Sequence, residues 1–516
     1  MRVCTATQMA AIDRETIAGG VTGETLMERA GQAMAASLQN LYEDWGMSGQ
    51  VAVVCGKGNN GGDGLVVARL LHEAGLPVAV LMLAVAEQLS TDARTNYERL
   101  PQGVDLLHPA PEHWVGAAGT LLEEAALVVD AIFGTGIQPP LRAGHVALIE
   151  ALNETPAVRV ALDIPSGVAG DDGRVDPVAF RADVTITVGM PKCGLLLPPG
   201  RDWVGEIEVV DIGFPADICA QHCPDHHVLG PAEYHDLLPE RRSDSHKYDH
   251  GGVLVLAGSH AFGGAAHLTG LGALRSGAGL VRVAAPAELA PSLRSGLPEA
   301  IVTPLAATQN GTIAPLPDSV RDDLLRKQDA VVLGPGLYAD KETDAWARSF
   351  LATAKQALLV DADGLGAFSR HGETPRFAHA NVVLTPHAGE MARLTGLSSA
   401  EVVENRLELC GEWARRWNVV LLLKGSPTFI GAPDGRVFFN PTGDDALARG
   451  GAGDVLSGLI GGLLAQGLMA LDAALLGAYL HGRAGILASA ESSRRSILVR
   501  EVAAALGPAF AELELR

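Results

Sequence analysis

VAVVCGKGNNGGDGLVVARLL, residues 51–71, decides how this chain is read. An apolar run comes first, then a segment holding Gly56, Gly58, Gly61, Gly62 and Gly64, then a helical pattern, DGLVVARLLHEAG. Strand, glycine-rich loop and helix in succession make the repeating unit of an α/β protein. The glycine spacing is not G-x-G-x-x-G, so an ordinary dinucleotide site is not predicted. The glycines taken alone fit a generic phosphate loop, with Asp63 at the helix start.

Outward from this unit the same alternation continues. QVAVVCG, PVAVLML, ALVVDAIFG, VRVALDIPSG and ADVTITVG are nearly continuous Val, Ile, Leu and Ala runs. That pattern predicts parallel strands buried on both faces, joined by right-handed helical crossovers. Residues 219–250 are polar and rich in histidine, without a strand pattern, so a domain joint is expected near residue 225. After it GGVLVLAG, GLVRVAAP, QDAVVLGPG, QALLVDADG, NVVLTP, VVLLLKG and GRVFFN resume the alternation. Two α/β domains are expected, residues 1–222 and 223–516. Each should carry its own site beyond the carboxyl ends of its strands.

The bulk numbers agree. A chain of 516 residues allows roughly two to four domains. With 47% hydrophobic and 19% charged residues it has ample material for packed cores. The net charge of −21 disfavours nucleic acid and anionic membranes as partners. Any phosphate site must then be built locally, from backbone N–H groups, a lysine or a cation. Cys219 and Cys223 lie beside His222, His226 and His227, but no second ligand pair with zinc-site spacing follows. Reduced thiols, and an N-terminus without a long apolar core, predict a cytoplasmic protein. Runs such as VVLLLKG are too short to span a bilayer.

Near the end of the chain, NPTGDDALARGGAGDVLSGLIGGLLAQG (440–467) places a strand, a glycine loop and a helix start together. Gly450, Gly451 and Gly453 let N–H groups converge where the helix dipole is positive, which makes an anion hole. Asp454 beside it is badly suited to binding phosphate. It is well suited to taking a proton from a hydroxyl that attacks a phosphoryl group. The plainer reading of such an aspartate is an N-cap.

This stretch resembles the signature of the ribokinase-like superfamily, and more closely the ADP-dependent NAD(P)H-hydrate dehydratases. HKYDHGGVLVLAGS (246–259), VVLGPGL (331–337), LLVDADGL (358–365), LTPHAGEMARL (384–394) and LLLKGSPTFI (421–430) match that family in order. Ala452 departs from it, standing where the family usually has Ser or Thr. The resemblance implies that Lys424, Gly425, Ser426, Pro427 and Thr428 bind the adenine nucleotide, with Gly453 on its phosphate. It also implies that His387 and Gly336 contact the substrate, that Asp454 is catalytic, and that ADP acts as co-substrate with Mg²⁺. Asp361 and Asp363 receive no assigned role.

In the first half, Asn60, Asp130 and Ser166 are oxygen donors at three strand ends. Such a set suits a hard monovalent cation better than zinc, although these residue types also form turns. With MAAIDRETIAGGVTGETLMERAG (9–31) and TVGMPKCGLLLPPGRDWVGEIEVVDIGFP (187–215), the half resembles the NAD(P)H-hydrate epimerases. By that resemblance Asn59, Asn60, Gly61, Gly62, Asp63, Gly134, Thr135, Gly136, Ile137, Gln138, Pro139 and Pro140 bind substrate. Asn60, Asp130 and Ser166 hold K⁺, and Asp163 contacts the hydrated ring as the proton-transfer group. Lys192 is its electrostatic partner.

Together the halves imply a Rossmann-like three-layer sandwich followed by a ribokinase-like α/β domain. The implied function is repair of hydrated NADH and NADPH, by epimerising the R and S hydrates and dehydrating the S form at the expense of ADP. A homo-oligomer is expected by the same resemblance. The alternative is a ribokinase-like small-molecule kinase fused to a non-catalytic Rossmann-like binding domain.

Overall fold

The Val-rich runs of the first half pair as a parallel sheet because both of their faces are apolar. The strands are β1 (Gln50–Cys55), β2 (Val78–Met82), β3 (Asp105–Leu107), β4 (Ala125–Ala131), β5 (Val158–Leu162), β6 (Val184–Val188) and β7 (Glu206–Val210). Their order is β3-β2-β1-β4-β5-β6-β7. Val51, Val53 and Cys55 pack to one side with Leu38, Val67 and Leu71. Ala52 and Val54 pack to the other with Trp114 and Leu148, so helices cover both faces. Strand order reverses between β1 and β4, which opens a crevice beyond their carboxyl ends.

The computed structural model describes residues 1–137, 140–223 and 225–515. The chain divides into two compact units, Met1–His226 and His227–Arg516. The second sheet comprises β8 (His226–Val228), β9 (Gly252–Leu256), β10 (Leu280–Pro286), β11 (Ile301–Leu305), β12 (Ala330–Leu333), β13 (Ala357–Val360), β14 (Val382–Leu384), β15 (Val420–Leu423), β16 (Phe429–Gly431) and β17 (Val437–Phe439). Its order is β11-β10-β9-β12-β13-β14-β15-β16-β17-β8. Strands β9 to β15 run parallel, and β16 and β17 add an antiparallel hairpin. The helix Ala452–Ala465 packs its Val455, Leu459 and Ile460 into the core of this unit.

Five strands lie outside the sequence expectations: β3, β7, β8, β11 and β16. β3, β8 and β11 stand at sheet edges, as does β7, whose residues alternate between exposed and half-buried positions until Val210. Half-exposed strands carry no continuous apolar run. β8 lies inside the stretch read as strandless, so its pairing is supplied by the neighbouring strand rather than by its own pattern. The helix expected from DGLVVARLL also begins earlier, at Asn59. Gly61 and Gly62 therefore lie in its first turn, where Gly61 packs against the Gly56 carbonyl and Gly62 against Met27.

Candidate functional site

In the first unit the adjacent strands β1, β4, β5 and β6 deliver their carboxyl ends to one place. Asn60 follows β1. Its Nδ2 donates to the carbonyls of Phe133 (2.8 Å) and Leu162 (3.1 Å), and its Oδ1 is buried with no partner among the described residues. Asp130, near the end of β4, is fully buried. It accepts from Ser166 Oγ and Ser166 N, each at 2.7 Å, and from Ile132 N at 3.1 Å. Burial pushes the Asp130 carboxyl up to about 6, against the pull of these hydrogen bonds. Ser166 Oγ also accepts from Phe133 N. A buried carboxylate with an orphaned amide oxygen nearby fits a bare monovalent cation.

Asp163 follows β5 with φ +65°, a conformation costly for a residue with a side chain. Lys192, almost wholly buried, donates to Asp163 Oδ1 at 2.5 Å, to Thr187 Oγ1 at 3.0 Å and to the Val188 carbonyl at 2.9 Å. The lysine is thus aimed at the carboxylate by the end of β6. A cavity of about 590 Å³ opens above the pair, lined by Asn59, Asn60, Asp63, Gly134, Thr135, Gly136 and Ile137 among others. Gly61, Gly62 and Pro140 do not line it, and Gln138 and Pro139 lie outside the described residues. Asp130 and Ser166 sit behind the lining rather than in it.

In the second unit, neighbouring strands β12, β13, β14 and β15 present Gly336, Asp361, His387 and Lys424 in that spatial order. Lys424 Nζ donates to Asp361 Oδ1 at 2.8 Å and lies 3.9 Å from Glu390 Oε2. Asp361 is buried, and its other oxygen accepts from Ser457 Oγ at 2.7 Å. A Cβ on Gly453 would stand 3.5 Å from Lys424 Nζ and 3.8 Å from Asp361 Oδ2, so the glycine leaves room between the helix start and the ammonium. Gly451, at φ +96°, turns the chain into that helix. Asp454 lies in its first turn. Burial first, then the like charge of Asp361, pushes its carboxyl up to about 7, partly offset by Lys424. That is the range wanted of a general base at neutral pH.

His387 caps the helix Ala388–Thr395. Its Nδ1 accepts from Gly389 N (3.0 Å) and Glu390 N (3.3 Å), which leaves the ring proton on Nε2. The ring is half exposed, and His387 bridges Lys424 through the backbone. Gly336, at φ +65°, sits against Phe262 and Ala265. The segment Gly425 to Thr428 is held by Arg406, which donates to the carbonyls of Ser426 (2.7 Å) and Pro427 (3.2 Å) and lies over the Phe429 ring. Asp363 is engaged structurally, by Tyr338 N and Arg370.

Sequence reasoning missed Arg406, Ser457, Glu390 and Asp13. Glu390 and Asp13 lie within quoted motifs. Ser457 also lies in the quoted 440–467 stretch, but its partner is 96 residues away, and Arg406 lies outside every quoted motif, 20 residues from the Ser426 carbonyl that it holds. His481 was missed as well. It is buried beneath the helix start and held neutral near 4 by burial, with Nε2 unpartnered among the described residues.

Two family models match the chain: one described as NAD(P)H-hydrate dehydratase over residues 253–506, and one described as YjeF-related protein N-terminus over residues 23–194. A bifunctional NAD(P)H-hydrate repair enzyme, Nnr, of Moorella thermoacetica is 38% identical over 507 residues, covering 97% of this chain and 95% of its own. The protein of the same name from Escherichia coli is 36% identical, covering 94% and 88%. Among solved structures, the ADP/ATP-dependent NAD(P)H-hydrate dehydratase of Bacillus subtilis, co-crystallised with ATP/Mg²⁺, is 34% identical. It covers 55% of this chain and 98% of its own, with a TM-score of 0.48.

Proposed function

This chain belongs to the family of bifunctional NAD(P)H-hydrate repair enzymes, and from that premise we propose which of its residues carry out each step. The protein repairs hydrated NADH and NADPH by epimerising the two hydrates and dehydrating one of them with ADP. In our reading residues 1–222 epimerise and residues 223–516 dehydrate. The division is supported by two compact units, each with its own cluster of charged side chains at strand ends.

For dehydration, Asp454 takes the proton of the substrate hydroxyl, whose oxygen attacks the β-phosphorus of ADP and releases AMP. The ring nitrogen then expels phosphate, and loss of a proton from the neighbouring carbon restores the reduced nicotinamide. Lys424 and the N–H groups from Gly453 onward hold the phosphates, Gly425 to Thr428 the rest of the nucleotide, and His387 and Gly336 the hydrated ring. Both oxygens of Asp361 are taken by Lys424 and Ser457, so its part is to fix the lysine. Mg²⁺ brought in by the nucleotide would supply positive charge to the phosphates, which in this reading lie near the carboxylates of Asp361 and Asp454.

For epimerisation, Asp163 is the proton acceptor and Lys192 its fixed counter-charge. Asn60, Asp130 and Ser166 would hold K⁺, which supplies the positive charge that a buried Asp130 lacks. Asn59, Asn60, Asp63 and Gly134 to Ile137 line the substrate's place. The protein is proposed to act in the cytoplasm as a homo-oligomer. Six free cysteines support the first point, and light scattering tests the second.

The observation that carries the dehydratase reading is Asp454, with its pKa near neutrality, beside Lys424, Asp361 and Gly453. Its test follows the return of reduced-nicotinamide absorbance when hydrated NADH and ADP are supplied. Asp454→Asn should lose about 10²–10⁴-fold in rate while R/S exchange continues. Full activity in that variant would sink the reading.

A further inference from the structure

Epimerisation at the carbon bearing the hydroxyl needs two proton-transfer groups, not one. If the ring opens, a base takes the hydroxyl proton while the carbon–nitrogen bond breaks and an acid protonates the nitrogen. Closure on the other face reverses both transfers. If water is lost instead, an acid protonates the departing hydroxyl, and a base takes a proton from the water that returns to the opposite face. Either route balances with one donor and one acceptor and leaves both restored. Asp163, already facing the Lys192 ammonium, serves as the acceptor.

The helix Ala6–Ala18 presents Met9, Ala10, Asp13 and Ile17 to the cavity. Met9, Asp13 and Ile17 recur at intervals of four, which puts them on one helix face. Asp13 is the acid in that apolar stripe. The amphipathic pattern of the helix gives no packing reason for a carboxyl there. Its side chain makes no hydrogen bond or ion pair among the described residues. Asp163, Lys192 and, from the helix Asn59–Glu73, Asp63 line the same cavity and lie within electrostatic reach of it. Lys57 and Asp92 complete the ionisable lining.

We propose that Asp13 is the second catalytic acid–base group of epimerisation: its carboxyl gives a proton to the departing atom and recovers it, opposite the Asp163–Lys192 pair. This rests on the epimerase reading of the first unit. Four carboxyls, Asp13, Asp63, Asp92 and Asp163, line the cavity with Lys57 and Lys192, and the ion pair of Lys192 is with Asp163. A proton retained by a second carboxyl relieves the like-charge repulsion. Burial first, then Asp163, push Asp13 up to about 6, so it can both hold and release a proton near neutrality. Burial first, then the like charges of Asp163 and Asp13, raise Asp63 well above the ordinary carboxylate range, which suits a standing hydrogen-bond donor to substrate better than a shuttle.

The test uses the full chain and follows R/S exchange against pH, with hydrate binding measured by equilibrium dialysis. Wild type should show an alkaline limb from the donor, as a property of the coupled cluster. Asp13→Asn should slow exchange by about 10²-fold or more, erase the alkaline limb and leave hydrate binding within about threefold. Asp13→Glu, which keeps a carboxyl, should retain the limb and part of the rate. Dehydration of pure S hydrate should be unchanged in both. Exchange within about threefold of wild type in Asp13→Asn overturns the proposal. So does a slowed variant that keeps its alkaline limb, or a limb that disappears in Asp63→Asn instead. A wild-type protein that does not accelerate exchange at all would overturn the epimerase reading itself, a separate and distinguishable failure.

Discussion

Asp454 and Asp163 illustrate two ways of preparing a carboxylate as a base. Asp454 is pushed up to about 7 by burial and by Asp361. It must be ionised to act, so the kcat/KM of dehydration should rise with pH and level off above about 7. A profile flat across that range would count against its role. Asp163 is instead clamped by a buried lysine, and its φ of +65° is imposed by surrounding structure. Lys192→Met should slow R/S exchange by at least about 10²-fold without altering the KM for ADP. Steady-state assays of both half-reactions check this. The residues in these pairs were legible one by one. Resemblance also implied the Asp163–Lys192 pairing, but not its 2.5 Å distance or the Thr187 and Val188 acceptors that aim the lysine, because 29 positions and a whole strand intervene.

The start of the helix Ala452–Ala465 depends on one backbone conformation. Gly451 sits at φ +96°, and a Cβ there would come within 2.5 Å of Leu268 Cδ1. Gly451→Ala should cost about 1–2 kcal/mol from the left-handed backbone alone and should raise the KM for ADP, as calorimetry and titration of the nucleotide will show. The same contrast governs the glycine cluster of residues 56–64. By sequence alone its glycines fit a loop open to phosphate. In the structure Gly61, Gly62 and Gly64 belong to a helix, and their lack of a side chain lets that helix pack against Gly56, Met27 and Ala131. Composition alone cannot separate a glycine needed for ligand approach from one needed for helix packing, since both exclude a Cβ. The β16–β17 hairpin and Arg406, which holds the turn before β16, were invisible for a related reason: they matter only once chain segments meet.

For the whole molecule, two sites on two separately cored units predict that the steps need not share one chain. Protein with Asp163→Asn should consume S hydrate and stall on R. Protein with Asp454→Asn should restore no cofactor. An equal mixture of the two should consume both hydrates, as chromatography of the epimers will show. A mixture that stalls like the Asp163→Asn protein would mean that the intermediate does not pass between chains. Adding K⁺ should raise the melting temperature, and Ser166→Ala should abolish that shift. The kinase alternative loses its ground because relatives covering 97% of the chain are repair enzymes with both halves.

Alternating apolar runs and helical stretches determined, without coordinates, that this is an α/β chain of two halves with chemistry at strand carboxyl ends. The motifs determined which reaction family it belongs to. Both follow from local order, since periodicity and motif spacing are properties of neighbouring residues. Only the tertiary structure decided that Thr187 and Val188 hold Lys192 against Asp163, that Lys424 is fixed by Asp361, itself held by Ser457, and that Asp13 enters the same cavity as Asp163 and Lys192. Those facts depend on distances between groups remote in sequence, and on the burial that makes each charge costly without its partner.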